Sequence, residues 1–278
     1  MRVAVTGASG FVGRHLLAAL SRHPVDVVAA GRQPLRDPAH GVEWVELDIS
    51  QPGKSPFVQL GRPDVLFHLA WDGLPHYGAD RHVEVELPRQ LAFLDTCLDE
   101  GLGRLAVTGT CLEYGLREGM QCEDHAPEPT TRYAEAKDQL RRHLLARQED
   151  GSFGLGWFRL FYLLGPGQSP GSLIPQLEQA LRAGQEAFDM SPGDQVRDFT
   201  PVDFAAEALA RIGLFHANPG TVNICTGLGT TVLNLVERRI AELGAGIRLN
   251  RGAYSYPAHE PRRAWGDARR MKHLLETA

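Results

Sequence analysis

The 278 residues are 43% hydrophobic, carry a formal net charge of -5 and have a pI near 6.1. That balance excludes the basic surface a nucleic-acid binder needs, and no block of like charge is long enough to serve as an interaction tail. The apolar content allows a substantial core, in one large domain or two unequal ones.

Arg2 to Thr6 (RVAVT) is a β-branched run and reads as the first strand. Phe11 to Ser21 places apolar residues at helical spacing, and Val25 to Ala30 is again apolar and extended. Val42 to Leu47, Val65 to Ala70, Leu105 to Thr108 and Gly156 to Leu163 read as further strands, with helices over Val85 to Glu100 and Thr131 to Glu149 between them. Near-continuous apolar strands separated by helices indicate an α/β fold built on a parallel sheet covered on both faces. After Gly165 the pattern changes. GPGQSPGS is a loop, followed by helices near Ser172 to Gly184, Asp203 to His216 and Thr231 to Leu243, a turn-rich Met190 to Asp194, and short strands at Val222 to Cys225 and Ile247 to Leu249. Residues 1–165 are expected to form a sheet domain, and residues 166–278 a smaller lobe whose segments interleave with it.

Four cysteines, Cys97, Cys111, Cys122 and Cys225, show no C-x-x-C pair and no zinc spacing, and no H-x-x-x-H occurs, so no metal is expected. The apolar N-terminus is interrupted by Gly7, Gly10 and Gly13, which argues against a signal peptide, and no apolar run approaches the roughly 20 residues of a membrane helix. A soluble cytoplasmic protein with reduced thiols is the expectation.

Thr6 to Gly13 reads TGASGFVG at the first strand-helix junction. Gly7 permits the tight turn, Gly10 lets backbone approach a pyrophosphate, and Gly13 allows close helix-strand packing. The following helix offers its free N–H groups to phosphate. A dinucleotide is therefore expected here, in a Rossmann-type doubly wound domain. At the end of the second strand, where NAD sites place a carboxylate, the sequence has Gly31 and Arg32. A guanidinium at that point favours the 2′-phosphate of NADP(H), with NAD(H) the alternative and a solvent-facing arginine the plain one.

VTGTCLEYG sets the hydroxyl of Thr110 at a strand end, before Cys111, Leu112 and Glu113. TRYAEAKDQL sets Tyr133 and Lys137 four apart on one helical face. A tyrosine with an ordinary pKa of about 10 is a poor proton donor or acceptor at neutral pH, and a nearby ammonium is expected to bring it toward the working range.

With these motifs the chain resembles the extended short-chain dehydrogenase/reductases, the family of nucleotide-sugar epimerases, dehydratases and ketoreductases. TGASGFVG, Asp48-Ile49, His68-Leu69-Ala70, Thr110 with Tyr114-Gly115, Tyr133 to Lys137 and GDQVRDFTPVDFA (Gly193 to Ala205) carry the resemblance over essentially the whole chain. It implies that Gly7, Ser9, Gly10, Phe11, Val12 and Gly13 hold the coenzyme pyrophosphate, that Asp48 and Ile49 flank the adenine, and that Leu69, Ala70 and Trp71 lie along the coenzyme. It implies Lys137 on the nicotinamide ribose, Tyr133 as acid or base, and Thr110 on the reacting sugar oxygen. Arg197 is expected to grip the substrate diphosphate, and Arg262 to meet the nucleotide or stay solvated. A cytoplasmic homodimer through the helices near Val85 and Tyr133 is implied as well.

The departures narrow the reaction. Tyr162 replaces the common Asn after the R-x-F strand, and E-L-P at Glu86 to Pro88 replaces the usual N-G-T. The 4,6-dehydratases of this family carry Asp-Glu directly after the threonine, where this chain has Cys111 and Leu112. Leucine transfers no proton and a buried thiol is inert packing. Cys111 also lies one residue from the position of the catalytic Cys of the 3,5-epimerase-reductases, on the opposite face of a strand end. Glu113 is expected to be a turn or surface carboxylate. Trp71 and His76 sit on a loop that covers the sugar or is plain surface, and His68 is expected to pack beside the coenzyme. The expected activity is NADPH-dependent reduction of a 4-keto group on a nucleotide-activated 6-deoxyhexose, of the dTDP type, in deoxysugar or O-antigen synthesis. Its rivals are an NAD-dependent nucleotide-sugar 4-epimerase, a hydroxysteroid or flavonoid reductase, and a non-catalytic NADP(H) sensor.

Overall fold

A computed structural model describes residues 1–34, 41–256 and 260–278. The strands are β1 (Arg2–Thr6), β2 (Asp26–Gly31), β3 (Val42–Glu46), β4 (Val65–His68), β5 (Arg104–Thr110), β6 (Gly119–Gln121), β7 (Gly154–Leu160), β8 (Tyr162–Leu164), β9 (Ala187–Met190), β10 (Val196–Pro201), β11 (Gly220–Ile224), β12 (Gly229–Thr231), β13 (Arg248–Arg251) and β14 (Ala264–Gly266). The α-helices are α1 (Phe11–Leu20), α2 (Pro56–Gln59), α3 (Leu87–Asp99), α4 (Arg132–Gln148), α5 (Leu173–Arg182), α6 (Val202–Phe215), α7 (Val232–Glu242) and α8 (Arg269–Glu276).

Seven strands form the main sheet in the order β11-β7-β5-β4-β1-β2-β3, every neighbouring pair parallel. Because side chains alternate across a strand, each strand feeds two cores. Val3 and Val5 join Leu16 and Leu20 of α1 and Leu209 of α6 on one face, whereas Ala4 joins Phe93 of α3 and Leu140 of α4 on the other. Burial on both faces is why these strands lack polar alternation. Chain order runs outward from β1 to β3, then turns back to β4 on the opposite side of β1. That reversal opens a crevice at the carboxyl ends of β1 and β4, the place where open α/β sheets bind ligands.

After β8 the chain leaves the sheet. Small ribbons (β12-β10-β8 and β13-β9) and helices α5 and α7 enclose a third core around Leu177, Phe188, Met190 and Val236. The chain then returns, so that α6 and α8 cover the sheet and β11 extends it. The buried Asp198 ties the two regions together. Its carboxylate accepts from the Thr226 N–H at 2.9 Å, the Thr226 and Thr200 hydroxyls at 2.7 and 3.1 Å, and the N–H groups of Gly227 and Gly266 at 2.8 and 3.3 Å.

Two expected elements differ. The strand over Gly156 to Leu163 is two, because Phe161 breaks the run and β8 turns away to pair with β10. The helix expected from Val85 opens earlier, as a π-turn over His82–Glu86 that runs into α3. Pro88 lacks an N–H and crowds the carbonyl four residues back, and the wider turn accommodates it. No helix among the described residues is long and apolar enough to cross a membrane.

Asp198→Asn would turn a donor amide toward the N–H groups of Thr226, Gly227 and Gly266. Its expected cost is about 2–4 kcal/mol, read as a lowered urea midpoint. Asp194→Asn, at an exposed carboxylate, is expected to change stability by less than about 0.5 kcal/mol.

Candidate active site

The glycine loop closes the crevice from β1. Gly7 has φ +70°, and a Cβ on it would lie 2.8 Å from the Ala70 nitrogen, so the loop rests directly on the backbone that leaves β4. A Cβ on Gly13 would lie 2.2 Å from the Gly7 carbonyl oxygen, so only glycine lets α1 start this close. Gly10 is the N-cap of α1, with no side-chain cap and no acid in the first turn. Its free N–H groups suit an anion, and this cradle fits the pyrophosphate of a nicotinamide dinucleotide. A cavity of about 240 Å³ opens there, lined by Gly7, Ser9, Gly10, Arg32, Ile49, Leu69, Ala70 and Trp71.

Arg32 stands at the end of β2 with its side chain 64% exposed, and Nη1 is 3.5 Å from Asp72 Oδ2. A carboxylate does therefore approach this arginine, from the loop after β4 rather than from β2 itself. Asp48 is not in the cavity wall; its carboxylate accepts from the Ser50 N–H at 2.9 Å, and hydrogen bonds from Ser50, with Arg32 and Arg89 nearby, hold it below the usual carboxylate range. Glu86, buried between Arg81 and Arg89 at 3.1 and 3.2 Å, and Arg89 complete the rim.

Beneath the loop runs a connected network. His68 is fully buried; Nδ1 meets the Thr6 hydroxyl at 2.8 Å and Nε2 meets Gln90 Oε1 at 2.5 Å. Gln90 passes the chain on to the Ala70 carbonyl at 3.1 Å. Burial brings His68 down to about 4, so it is neutral and structural.

A second cavity, about 630 Å³, adjoins the first and shares Leu69 and Trp71 with it. Phe11, Val12, Thr110, Cys111, Tyr133, Lys137 and Tyr162 lie in its wall. Thr110 ends β5 and caps the short turn Cys111–Tyr114. Its oxygen accepts from the Leu112 N–H at 3.2 Å while its own N–H donates to Glu113 Oε1 at 2.8 Å. The oxygen is thereby fixed and its proton is left to donate. Thr131 caps α4, its oxygen accepting from the Ala134 N–H at 3.2 Å, which puts Tyr133 in the first turn and Lys137 one turn below. Lys137 is buried, donates to the Thr108 carbonyl at 2.8 Å and lies 4.2 Å from the centre of the Trp71 ring. Burial brings its ammonium down to about 7, with Glu113 pulling the other way.

Lys137 does not bring Tyr133 toward neutrality here. Burial pushes the phenol above its ordinary value, helped by Tyr77, Glu113 and Cys111, and the ammonium is turned to Thr108, 6.0 Å from the tyrosine ring centre. Burial likewise raises the Cys111 thiol, which is wall and not nucleophile. Glu113 is no surface carboxylate. It is fully buried and accepts from Arg159 Nε at 2.7 Å and from Trp157 Nε1 at 3.1 Å. Arg197 is buried too, but it does not line the cavity. Nη2 and Nε reach Glu260 Oε2 at 2.8 and 3.3 Å, and Nη1 is spent on the carbonyls of Val196 and Arg262. Glu260 faces the cavity in its place, beside Tyr162, whose ring centre is 5.3 Å from the guanidinium. Arg262 lies outside, stacked at 3.6 Å on Tyr256 and paired with Asp194 at 3.5 Å.

Tyr77 and Glu260 were not among the expected site residues, although Tyr77 follows His76 and Glu260 stands two positions before Arg262. Tyr77 packs 5.6 Å from the Tyr133 ring and its carbonyl accepts from the Tyr133 N–H at 2.9 Å. Among the described residues no group of His, Cys, Asp and Glu could hold a metal.

The chain and its fold have counterparts among known proteins. A dTDP-6-deoxy-L-talose 4-dehydrogenase (NAD(+)) of Aggregatibacter actinomycetemcomitans is 26% identical over 274 residues, 96% of this chain and 99% of the relative. A dTDP-6-deoxy-L-talose 4-dehydrogenase (NAD(P)(+)) of Kitasatospora kifunensis is 29% identical over 87% of this chain and 79% of the relative. The solved structure of MoeE5 in complex with UDP-glucuronic acid and NAD superposes with a TM-score of 0.84 at 28% identity, covering 99% of this chain and 93% of the other. The profile of the NAD dependent epimerase/dehydratase family matches residues 3–225, and the chain belongs to that family, the extended short-chain dehydrogenase/reductases.

Proposed function

We propose that this protein reduces the 4-keto group of a nucleotide-activated 6-deoxyhexose with NADPH. The observation that carries the reading is the wall of the larger cavity. It brings together the Thr110 hydroxyl, the Tyr133 phenol and the Lys137 ammonium next to the coenzyme cradle. Directly after Thr110, where the dehydratases carry Asp-Glu, stand Cys111 and Leu112. The two talose 4-dehydrogenases work the same alcohol-ketone couple at C4, which supports the choice of position.

The bound coenzyme supplies the hydride that arrives at C4. Tyr133, whose buried phenol keeps its proton at neutral pH, gives that proton to the ketone oxygen as the C=O bond becomes C–O–H. The Thr110 hydroxyl donates a hydrogen bond to the same oxygen and stabilises the charge developing on it. Lys137 stands behind the phenol and holds the coenzyme ribose. The uncapped N-terminus of α5, whose Ser172, Leu173 and Ile174 line the cavity, faces the substrate diphosphate. Arg197 joins it only by exchanging Glu260 for phosphate. Arg32, freed from Asp72, takes the 2′-phosphate of NADPH. The coenzyme is held by residues of 1–165 and the sugar nucleotide mainly by the lobe of 166–278. A homodimer remains part of this reading.

NADPH oxidation with dTDP-4-keto-6-deoxyglucose, followed by absorbance, tests the reaction. Tyr133→Phe is expected to lower kcat at least about 10²-fold. If NADPH is left untouched while a saturated sugar nucleotide is interconverted without added coenzyme, the reading gives way to an epimerase. Arg32→Ala is expected to raise KM for NADPH about 10- to 100-fold and to leave NADH within about threefold, the loss of one charge-assisted pair. Equal changes for both would remove the NADPH preference. The pH profile has a definite sign. Charged Lys137 is present below its pKa and lost as pH rises through about 7, so kcat/KM for reduction is expected to fall on that basic limb. A profile flat to pH 9 would contradict it.

A further inference from the structure

Lys137 is a cation nearly without counter-charge. The titratable and charged groups that face it are Tyr133 on its own helix, Glu113 from the turn after β5, His68 from β4 and His82 from the π-turn. His68 is neutral, and burial lowers His82 as well. Glu113 is the anion of this group, and it is committed to Arg159, Trp157 and the Thr110 N–H. What touches the ammonium is the Thr108 carbonyl at 2.8 Å and the face of an indole, with Trp71 centred 4.2 Å away.

That indole is locked. Its Nε1–H donates to His82 Nδ1 at 3.1 Å, which leaves the His82 proton on Nε2, directed at the His76 carbonyl at 3.0 Å. The ring meets Tyr133 edge-on at 5.7 Å, and it stands in the wall common to both cavities. A π-face presents negative potential to a cation, and the attraction grows when water is excluded, with Trp the strongest partner.

We propose that Trp71 is a positioning residue of this centre: its indole face, clamped by His82, holds the Lys137 ammonium charged and in place against the Thr108 carbonyl, one helical turn below Tyr133. The proposal deepens the ketoreductase reading and rests on it for its catalytic meaning. A neutral amine would lose one N–H and the charge that supports the phenolate as Tyr133 gives up its proton. His82 acts through Trp71, by fixing the ring plane.

The chain has just three lysines, Lys54, Lys137 and Lys272, so protein carrying ¹³Cε-labelled lysine gives three titrating NMR signals. Lys137→Arg deletes one and assigns it. The free protein is used, so the result does not depend on any substrate or coenzyme. Trp71→Phe keeps a π-face and Trp71→Met fills a similar volume without one. The Lys137 midpoint is expected about one pH unit lower in the Met variant than in the Phe variant, with the basic limb of kcat/KM moving in step. Should the Met variant not fold, fluorinated tryptophan serves in the wild-type sequence. It weakens the ring potential without changing its shape, and the Lys137 midpoint is expected to fall as fluorines are added. Equal midpoints in the Phe and Met variants, or no response to fluorination, would overturn the proposal. Absence of NADPH oxidation in the wild type would sink the reaction reading alone, while the lysine titration still decides the contact.

Discussion

Glu113 brings a carboxylate into a place where no water reaches it, and the Thr110 end of the larger cavity is arranged around that acceptor. Its two oxygens take the Thr110 N–H, the Trp157 indole and the Arg159 guanidinium, with Arg141 at 4.0 Å. These donors come from the end of β5, from β7 and from α4. A buried ion pair with its remaining lone pairs satisfied is neutral or mildly favourable, but removing one partner leaves a charge stranded at a cost of about 3–5 kcal/mol. The end of β5 therefore cannot shift without breaking several charge-assisted bonds together. The Thr110 hydroxyl inherits that rigidity, as does the Thr108 carbonyl that holds Lys137.

What the sequence disclosed follows from how local each signal is. The glycine loop, the threonine at a strand end and the Tyr-Lys pair are each decided by neighbours within one turn or one strand, so their placement in the fold was legible from spacing, while the roles expected of them came from the family resemblance. The main strands were legible because burial on both faces makes them continuously apolar. Glu113 was misread because its partners Trp157 and Arg159 lie 44 and 46 positions away, and nothing beside it in the chain announces burial. Arg197 shows the same limit. The motif around it is plain, but its partner Glu260 comes from 63 positions further on. The short ribbons β6, β12 and β14 hold three residues each, too few for a period to show. Helix α8 has eight residues, too short for its apolar face of Met271, Leu274 and Leu275 to show as a repeat.

Electrostatics inside the cavities is one of exchange rather than vacancy. Arg32 leans on Asp72, Arg197 on Glu260, and Lys137 on a carbonyl and a ring. Each cation that the proposed reaction uses is already occupied in the free protein. An incoming phosphate replaces a carboxylate, so the net gain is the difference between two similar contacts. Selectivity among anionic ligands then depends on how well each completes the geometry, more than on raw charge.

The return of the chain to the main sheet has a consequence for modularity. β11 pairs with Gly156 to Leu160 of β7, and it comes from far beyond the point where the chain first leaves the sheet. A polypeptide cut near residue 165 would leave β7 as a bare apolar edge, a template for pairing with other chains. The lobe is thus not a cassette that can be excised or shuffled between scaffolds. Variation in what the cavity accepts has to be written into its loops, within a sheet that both halves of the chain complete.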